Sequence, residues 1–154
     1  MLIHQLLFAA CLALGTSTVH FVGLVGLSAF LRKRRVHPVN LQTVIGQGAS
    51  ILAVVMALMV LYTTEIWIYA LTYLALGEFG GSMEKALYFS TTAFTTAGIG
   101  DVLLSPEWRI LGAAETANGF LLIGWSTAFL VSLTARVRAF EANVDRLEDT
   151  EPQD

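Results

Sequence analysis

The residues best suited to chemistry lie in the segment FTTAGIGDV, residues Phe94–Val102. Glycine stands at alternate positions, Gly98 and Gly100, and only glycine adopts left-handed backbone angles without strain. An extended strand with this spacing can turn its carbonyl oxygens to one side. The carbonyls of residues 96–99, together with the Thr96 hydroxyl, could then stack as oxygen ligands that replace the hydration shell of a dehydrated cation.

Long apolar runs surround this segment. The chain of 154 residues is 55% hydrophobic and 14% charged, whereas soluble domains are about 25% charged. The excess falls into three runs, Leu2–Leu31, Thr43–Tyr73 and Glu107–Thr134, which predict membrane-spanning helices. The first run lacks the positively charged start of a signal peptide and continues past any plausible cleavage site, so we expect it to be a retained helix.

A shorter helix is predicted between the second and third runs, over Glu84–Thr95. At about 1.5 Å per residue it covers about 18 Å, too little to cross a hydrocarbon core of about 30 Å. Irregular backbone at membrane depth is tolerated only where it is buried in protein or lines a watery cavity. The segment Glu84–Ser105 is therefore predicted to be a re-entrant loop, a half-helix inward followed by an extended strand outward.

Charge distribution predicts the topology. The basic run Arg32–Arg35 follows the first helix, and the positive-inside rule assigns it to the cytoplasm, with the N-terminus outside and the C-terminus cytoplasmic. Residues 65–109 carry a surplus of acid that would concentrate cations at a pore mouth, unless these are only solvated loop charges. The acids are Glu65, Glu78, Glu84, Asp101 and Glu107, against Lys85 and Arg109. We expect Glu65, near a membrane boundary, to face protein or water.

The segment ALYFSTTAFTTAGIGD, Ala86–Asp101, resembles the pore helix and selectivity filter of tetrameric potassium channels, whose filter usually reads T-V-G-Y-G-D. Ala97 and Ile99 take the valine and tyrosine places. The resemblance covers about residues 43–135, including the helix, re-entrant loop, helix order. Four positions match the filter outright: Thr96, Gly98, Gly100 and Asp101.

The resemblance implies an all-α membrane protein with three transmembrane helices plus a re-entrant pore helix and filter loop, assembled as a homotetramer in a prokaryotic inner membrane. It implies passive potassium conduction, with K⁺ held at Thr96, Ala97, Gly98 and Ile99, and Gly100 completing the filter. No cofactor other than K⁺ is implied. The expected partners are copies of the chain and the bilayer; no soluble partner is evident, and no basic run interleaved with aromatics indicates nucleic acid.

The resemblance also implies residues that support the filter. Asp101 is expected to bond to an aromatic donor on the pore helix, and Tyr88 occupies the matching position. Ile99 lacks the hydroxyl with which the family tyrosine holds the filter, so packing against Phe94, Phe89 or a neighbouring copy is the expected substitute. A weakly selective cation channel is therefore the alternative to a potassium-selective one. The remaining support residues are Thr92, Thr95 and Glu115.

Polar and small residues interrupt the third membrane run. Glu115 is expected to pack behind the filter or to pair with Thr92. Asn118 is expected either to line a central cavity or to form an interhelical hydrogen bond. Gly119, with Gly124 second, lies where the family has a hinge glycine, although either glycine could instead permit close packing.

Three parts are predicted along the chain: an extra N-terminal helix and basic loop (1–35), a pore domain (36–135), and a short cytoplasmic helical bundle with its tail (136–154). The first helix is expected at the periphery, outside the second, and Pro38 is expected to break the chain between them. The final segment DTEPQD is expected to be disordered. A heptad seam indicates the bundle, and it consists of Leu130, Leu133, Val137, Phe140, Val144 and Leu147.

A membrane enzyme is a different class of function. His4, His20 and His37 are scattered, with no acid paired at helical spacing and no evident constellation of His, Asp and Ser. We therefore expect no catalytic residues. A non-conducting scaffold or accessory subunit is the remaining class, which alanine at Gly98 or Gly100 would separate from a channel.

Overall fold

A computed structural model describes residues 2–34 and 44–148 of the chain, with the side chains of 2–32, 48, 49 and 51–135. In these ranges the fold contains four α-helices and no strand, which confirms the predicted all-α class. A short 3-10 turn, Glu78–Gly81, precedes the third helix. The helices are α1 (Leu2–Arg34), α2 (Val44–Ala75), α3 (Met83–Phe94) and α4 (Arg109–Glu148).

Three of these helices are long and apolar enough to cross a membrane. The spans are Leu2–Arg32, Ile51–Ala75 and Arg109–Ala135, each longer than the roughly 20 residues that a crossing needs. They coincide with the three predicted runs, which are confirmed. Pro38 and residues 149–154 lie outside the described residues, as do the side chains of the predicted seam beyond Leu133.

The helix α1 lies along α4 and also contacts α2. We expected α1 outside α2, at the periphery; within the chain the main neighbour of α1 is α4, and a peripheral position in an assembly stays a prediction. Hydrogen bonds explain this packing. The helix α1 carries hydroxyl and imidazole groups whose partners lie on α4 and α2, and lipid offers such groups no partner. Ala9 near the beginning of α1 packs with Leu111 near the beginning of α4. Leu24 further along packs beside Phe129, so these two helices run parallel while α2 runs antiparallel to both.

Two apolar clusters hold the helices together, one in each half of the span, and α1 contributes to both. In the first, Ala9 packs with α2 and α4. In the second, Leu24 packs with α2, beside Phe129 and Leu133 of α4. The buried members of the first cluster are Ala9, Tyr69, Tyr73, Leu104 and Leu111, and those of the second are Leu24, Val54 and Leu58.

The short helix α3 is the predicted half-helix, displaced by one residue at each end. It begins where the Ser82 hydroxyl accepts a hydrogen bond from the Lys85 N–H, 3.4 Å away, because this N-cap satisfies one of the unpaired amides of the first turn. Its 12 residues are too few to span a bilayer. It packs between α2 and α4 on its buried face, which consists of Ala86, Ser90, Ala93 and Phe94.

Candidate functional site

The backbone after α3 has an alternating conformation. Thr96, Gly98 and Gly100 have positive φ angles of 61°, 54° and 81°, while Ala97 and Ile99 between them do not. Alternation of the sign of φ turns successive peptide groups toward the same side, as in the backbone concavities that bind ions. Residues 96–100 can therefore present a row of carbonyl oxygens along one side of the chain.

This strip of backbone, residues 96–100, begins near the middle of the membrane. The end of α3 meets α4 at Gly119, ten residues after the span begins at Arg109. At about 1.5 Å per residue, Gly119 lies about 15 Å along the span, half of a core of about 30 Å. A half-helix that reaches the midplane and a non-helical strand that returns are the geometry of a re-entrant loop.

Main-chain hydrogen bonds attach the strip to α3. The Gly98 N–H donates to the Thr92 carbonyl oxygen at 3.1 Å, and the Thr96 N–H donates to the Ala93 carbonyl oxygen at 3.0 Å. The Thr92 and Thr95 hydroxyls instead donate back to carbonyls of α3. Thr92 therefore supports the strip through its main chain, and neither threonine hydroxyl reaches it.

The structure brings Tyr88 and Asp101 together across the strip, as the resemblance implies. Hydrogen bonding with the Asp101 carboxylate is the main cause that raises the pKa of the Tyr88 phenol. The contact links the end of the strip with the outer part of α3, and both side chains are exposed on the single chain.

Gly119 provides room for α3. A Cβ atom at this position would overlap the Phe94 carbonyl oxygen, closer than real Cβ atoms come to backbone. A Cβ at Gly124 would meet nothing within 4 Å. Of the two predicted hinge positions, only Gly119 is therefore required for close packing, and it is required directly beneath the strip.

Glu115 is fully buried behind α3, but it does not pair with Thr92. Its carboxylate lies 2.5 Å from the Ser90 hydroxyl and 2.5 Å from the Tyr73 hydroxyl. Ser90 replaces Thr92 because the buried face of α3 carries Ser90, and a residue two positions further along a helix faces elsewhere. The carboxylate thus joins α2, α3 and α4 at one point.

A protein-family model described as an ion channel matches residues 51–136, which is 86 of the 154 residues. The chain belongs to this ion channel family. The matched part of the channel contains most of α2, all of α3, the strip and the apolar part of α4, so α1 lies before it. The match supports the potassium channel superfamily, and no curated protein and no solved structure matches the chain.

A second buried cluster in the channel joins α1, α2 and α4. His20 Nδ1 lies 2.8 Å from Glu65 Oε1, and His20 Nε2 lies 3.0 Å from the Ser126 hydroxyl. The expectation that no histidine, acid and serine come together is wrong, because the partners lie on three different helices. The sequence did contain one indication of this cluster: His20 and Glu65 stand within apolar runs, and an ionisable residue there needs a partner inside the protein. Glu65 faces protein, as expected.

The connectivity of this cluster resembles that of a nucleophilic triad, but the surroundings do not support hydrolysis. Ser126 is 1% exposed, while His20 and Glu65 are completely buried, so a substrate cannot reach the hydroxyl. Ser126 also lies within α4, whose backbone amides are used by the helix and are not available as oxyanion donors. The cluster therefore acts as a joint between helices.

Asn118 of α4 forms buried hydrogen bonds with side chains of α1 and α2. Its side-chain NH₂ donates to the Thr16 hydroxyl at 2.8 Å and lies 3.3 Å from the Tyr69 hydroxyl, while its carbonyl oxygen accepts from Ser17. Of the two roles predicted for Asn118, the structure supports the interhelical hydrogen bond rather than the cavity wall.

Glu78 positions the segment that leaves the strip. Its two carboxylate oxygens accept hydrogen bonds from the Ser105 N–H at 3.0 Å and from the Ser105 hydroxyl at 2.6 Å. The turn before α3 is thereby tied to the loop before α4.

The side chain of Ile99 is 62% exposed on the single chain, and Phe94 and Phe89 pack on other aromatic rings. Within the described residues, no group of three His, Cys, Asp or Glu could hold a metal ion.

Proposed function

We propose that this protein is a homotetrameric channel that conducts K⁺ passively through a filter of main-chain oxygens. The carbonyls of Thr96, Ala97, Gly98 and Ile99 and the Thr96 hydroxyl are the proposed ligands, and Gly100 ends the row. The observation that carries the proposal is the alternating sign of φ over residues 96–100. It orients successive carbonyls alike, which a cation stripped of water requires.

The exposure of the strip supports assembly around an axis. All residues from Thr95 to Asp101 are exposed on the single chain. Unpaired backbone at membrane depth is tolerated only against protein or a watery cavity. Several copies that turn their strips toward a common axis satisfy both conditions, and the resemblance implies four copies.

A weakly selective cation channel of the same architecture is the second candidate. Ile99 in the tyrosine place has no hydroxyl to hold the width of the filter, and its side chain is 62% exposed on the single chain, while Phe94 and Phe89 contact other aromatic rings. In the potassium-selective assembly, a neighbouring copy must supply the packing for Ile99. A filter without that packing would be softer and would discriminate less between K⁺ and Na⁺.

The proposed orientation places the strip at the outer side of a prokaryotic plasma membrane. The run Arg32–Arg35 then lies in the cytoplasm, while Glu84, Asp101 and Glu107 are exposed near the outer mouth. In this orientation α4 carries the chain from the filter to the cytoplasm.

Cation flux in reconstituted liposomes tests the proposal. The protein is expected to carry K⁺, and Gly98→Ala is expected to abolish flux because the added Cβ opposes the positive φ at this position. Gly15→Ala is the matched control, since a Cβ at Gly15 meets nothing within 4 Å and its φ is not positive. Bi-ionic reversal potentials separate the two candidates: a large K⁺ over Na⁺ ratio supports selectivity, and a ratio near one supports the weakly selective channel. Absence of flux, or flux unchanged in Gly98→Ala, contradicts both.

A further inference from the structure

A groove of about 540 Å³ lies between α1 and α4, near the end of α1. Its volume is within the range of about 300–1,000 Å³ seen for small-molecule sites. The walls are mainly apolar, which suits a hydrocarbon chain rather than a polar ligand. The apolar lining residues are Val25, Ala29, Leu31, Phe129 and Leu133.

One charged side chain lines the same groove. Arg32 is exposed, and within the residues that the structure describes the one ion pair is His20 with Glu65, so Arg32 has no acidic partner there. Ser28 and Ser132 also line the groove, but their hydroxyl protons are donated to carbonyls of their own helices. Arg32 is therefore the donor available to an anionic group, and the planar guanidinium suits a phosphate.

Basic residues follow the apolar spans of both helices in the sequence. Arg32 opens the run Arg32–Arg35, and Arg136 and Arg138 follow the apolar span of α4. Residues 2–34 and 116–140 contain no acid. An anionic group at the mouth of the groove would thus meet the positive charge of Arg32, which lines the groove.

We propose that this groove binds an anionic phospholipid, with an acyl chain between α1 and α4 and the phosphate on Arg32. The lipid would come from the cytoplasmic leaflet, where anionic lipids attract basic segments. The inference rests on the proposed orientation but not on potassium selectivity. Because α4 is the helix proposed to lead from the filter, a lipid wedged against it would couple membrane composition to the pore.

A second groove provides an internal comparison. It measures about 350 Å³ and lies between α1 and α2, on another side of α1. Its lining includes Gly23, Leu27, Ala53 and Ala57 and contains no charged residue. A lipid chain in this groove would have no reason to carry a particular headgroup, so only the groove beside Arg32 is expected to prefer anionic lipid.

Lipid binding can be measured without conduction, by native mass spectrometry of the purified protein. Phosphatidylglycerol and phosphatidylcholine with identical acyl chains are titrated separately. We expect phosphatidylglycerol to bind more tightly, and Arg32→Gln to weaken it about fivefold, which corresponds to about 1 kcal/mol per basic residue. Arg32→Lys is expected to retain most of the preference. Arg109→Gln, an exposed arginine at the opposite end of the span, is the matched control.

A second pair of variants tests the apolar part. Ala29→Phe is expected to fill the groove beside Arg32 and to lower phosphatidylglycerol binding, whereas Ala57→Phe fills the other groove and should leave the headgroup preference unchanged. Equal binding of the two lipids, or equal effects of Arg32→Gln and Arg109→Gln, overturns the proposal. A photoreactive residue at position 29 should label lipid; if it labels a second copy of the chain, the groove is a subunit contact and the proposal is wrong. Because no readout needs ion flux, failure of the proposed channel function would be seen separately.

Discussion

At the residue scale, Thr96 is the least expected feature of the strip. A positive φ is uncommon for any residue with a side chain and is a true outlier for a β-branched one, with a cost of about 1–3 kcal/mol. The alternating glycines predicted positive φ at Gly98 and Gly100 from sequence. Nothing in the sequence predicted it at Thr96, because there the surrounding structure imposes the angle: its N–H is held by Ala93, and Gly98 two residues later is held by Thr92.

Gly119 gives a test of packing beneath the strip. Gly119→Ala is expected to destabilise the protein by about 1–3 kcal/mol, because its Cβ would overlap the Phe94 carbonyl and one helix must shift. Gly124→Ala, on the same helix with open space at its Cβ, is expected to be neutral or stabilising by up to about 1 kcal/mol. Thermal unfolding in detergent measures both. Similar stability of the two variants would show that α3 does not rest on Gly119.

The protonation state of Glu115, at the point where α2, α3 and α4 meet, can be tested by substitution. The Ser90 hydroxyl lies within hydrogen-bond distance of both Glu115 and the Ile66 carbonyl, and it has one proton to donate. All three contacts are satisfied if the Glu115 side chain donates to Ser90 while it accepts from Tyr73. Glu115→Gln offers the same donor and acceptor and is expected to be close to wild type.

Glu115→Leu is the matched variant that keeps volume and removes both contacts. It should lower stability by about 1–3 kcal/mol, because the Tyr73 hydroxyl loses its partner inside the protein. Denaturant unfolding in micelles compares the two. If Glu115→Gln is as damaging as Glu115→Leu, a negative charge at this position is required and the proton assignment is wrong.

At the element scale, the sequence predicted which segments are helical but not that α1 lies along α4. The helices α1 and α2 and the short half-helix appear within a few residues of their predicted bounds, as does the apolar span of α4, although α4 itself continues to Glu148. Length and composition determine such spanning helices. The neighbour of α1 depends on partners such as Asn118 and Ser126, which are about a hundred residues away along the chain. Periodicity in one helix contains no information about such pairs.

The pair of His20 and Glu65 tests the attachment of α1. His20→Leu leaves a buried carboxylate without its partner and is expected to cost about 3–5 kcal/mol. The double variant His20→Leu with Glu65→Leu removes both groups and should recover most of that loss, since an apolar pair of similar size is often neutral. A double-mutant cycle in denaturant measures the coupling. Additive effects of the two single variants would mean that the pair does not join α1 to α2.

At the scale of the whole molecule, the strip is incomplete on one chain. Its carbonyls form one side of a possible ligand cage, and Ile99 beside them is mostly exposed. The resemblance supplied the number of copies, which a single chain cannot, because symmetry depends on surfaces whose partners lie outside the chain. The same reasoning explains why the alternating backbone at Gly98 and Gly100 was predictable from the sequence, while the source of packing for Ile99 was not.

A density map of the assembled protein prepared in K⁺ tests the central claim most directly. A particle of four chains is predicted, with the carbonyls of residues 96–99 facing the symmetry axis and ion density between them. A particle that is not fourfold, or a strip that faces away from the axis, would contradict the claim.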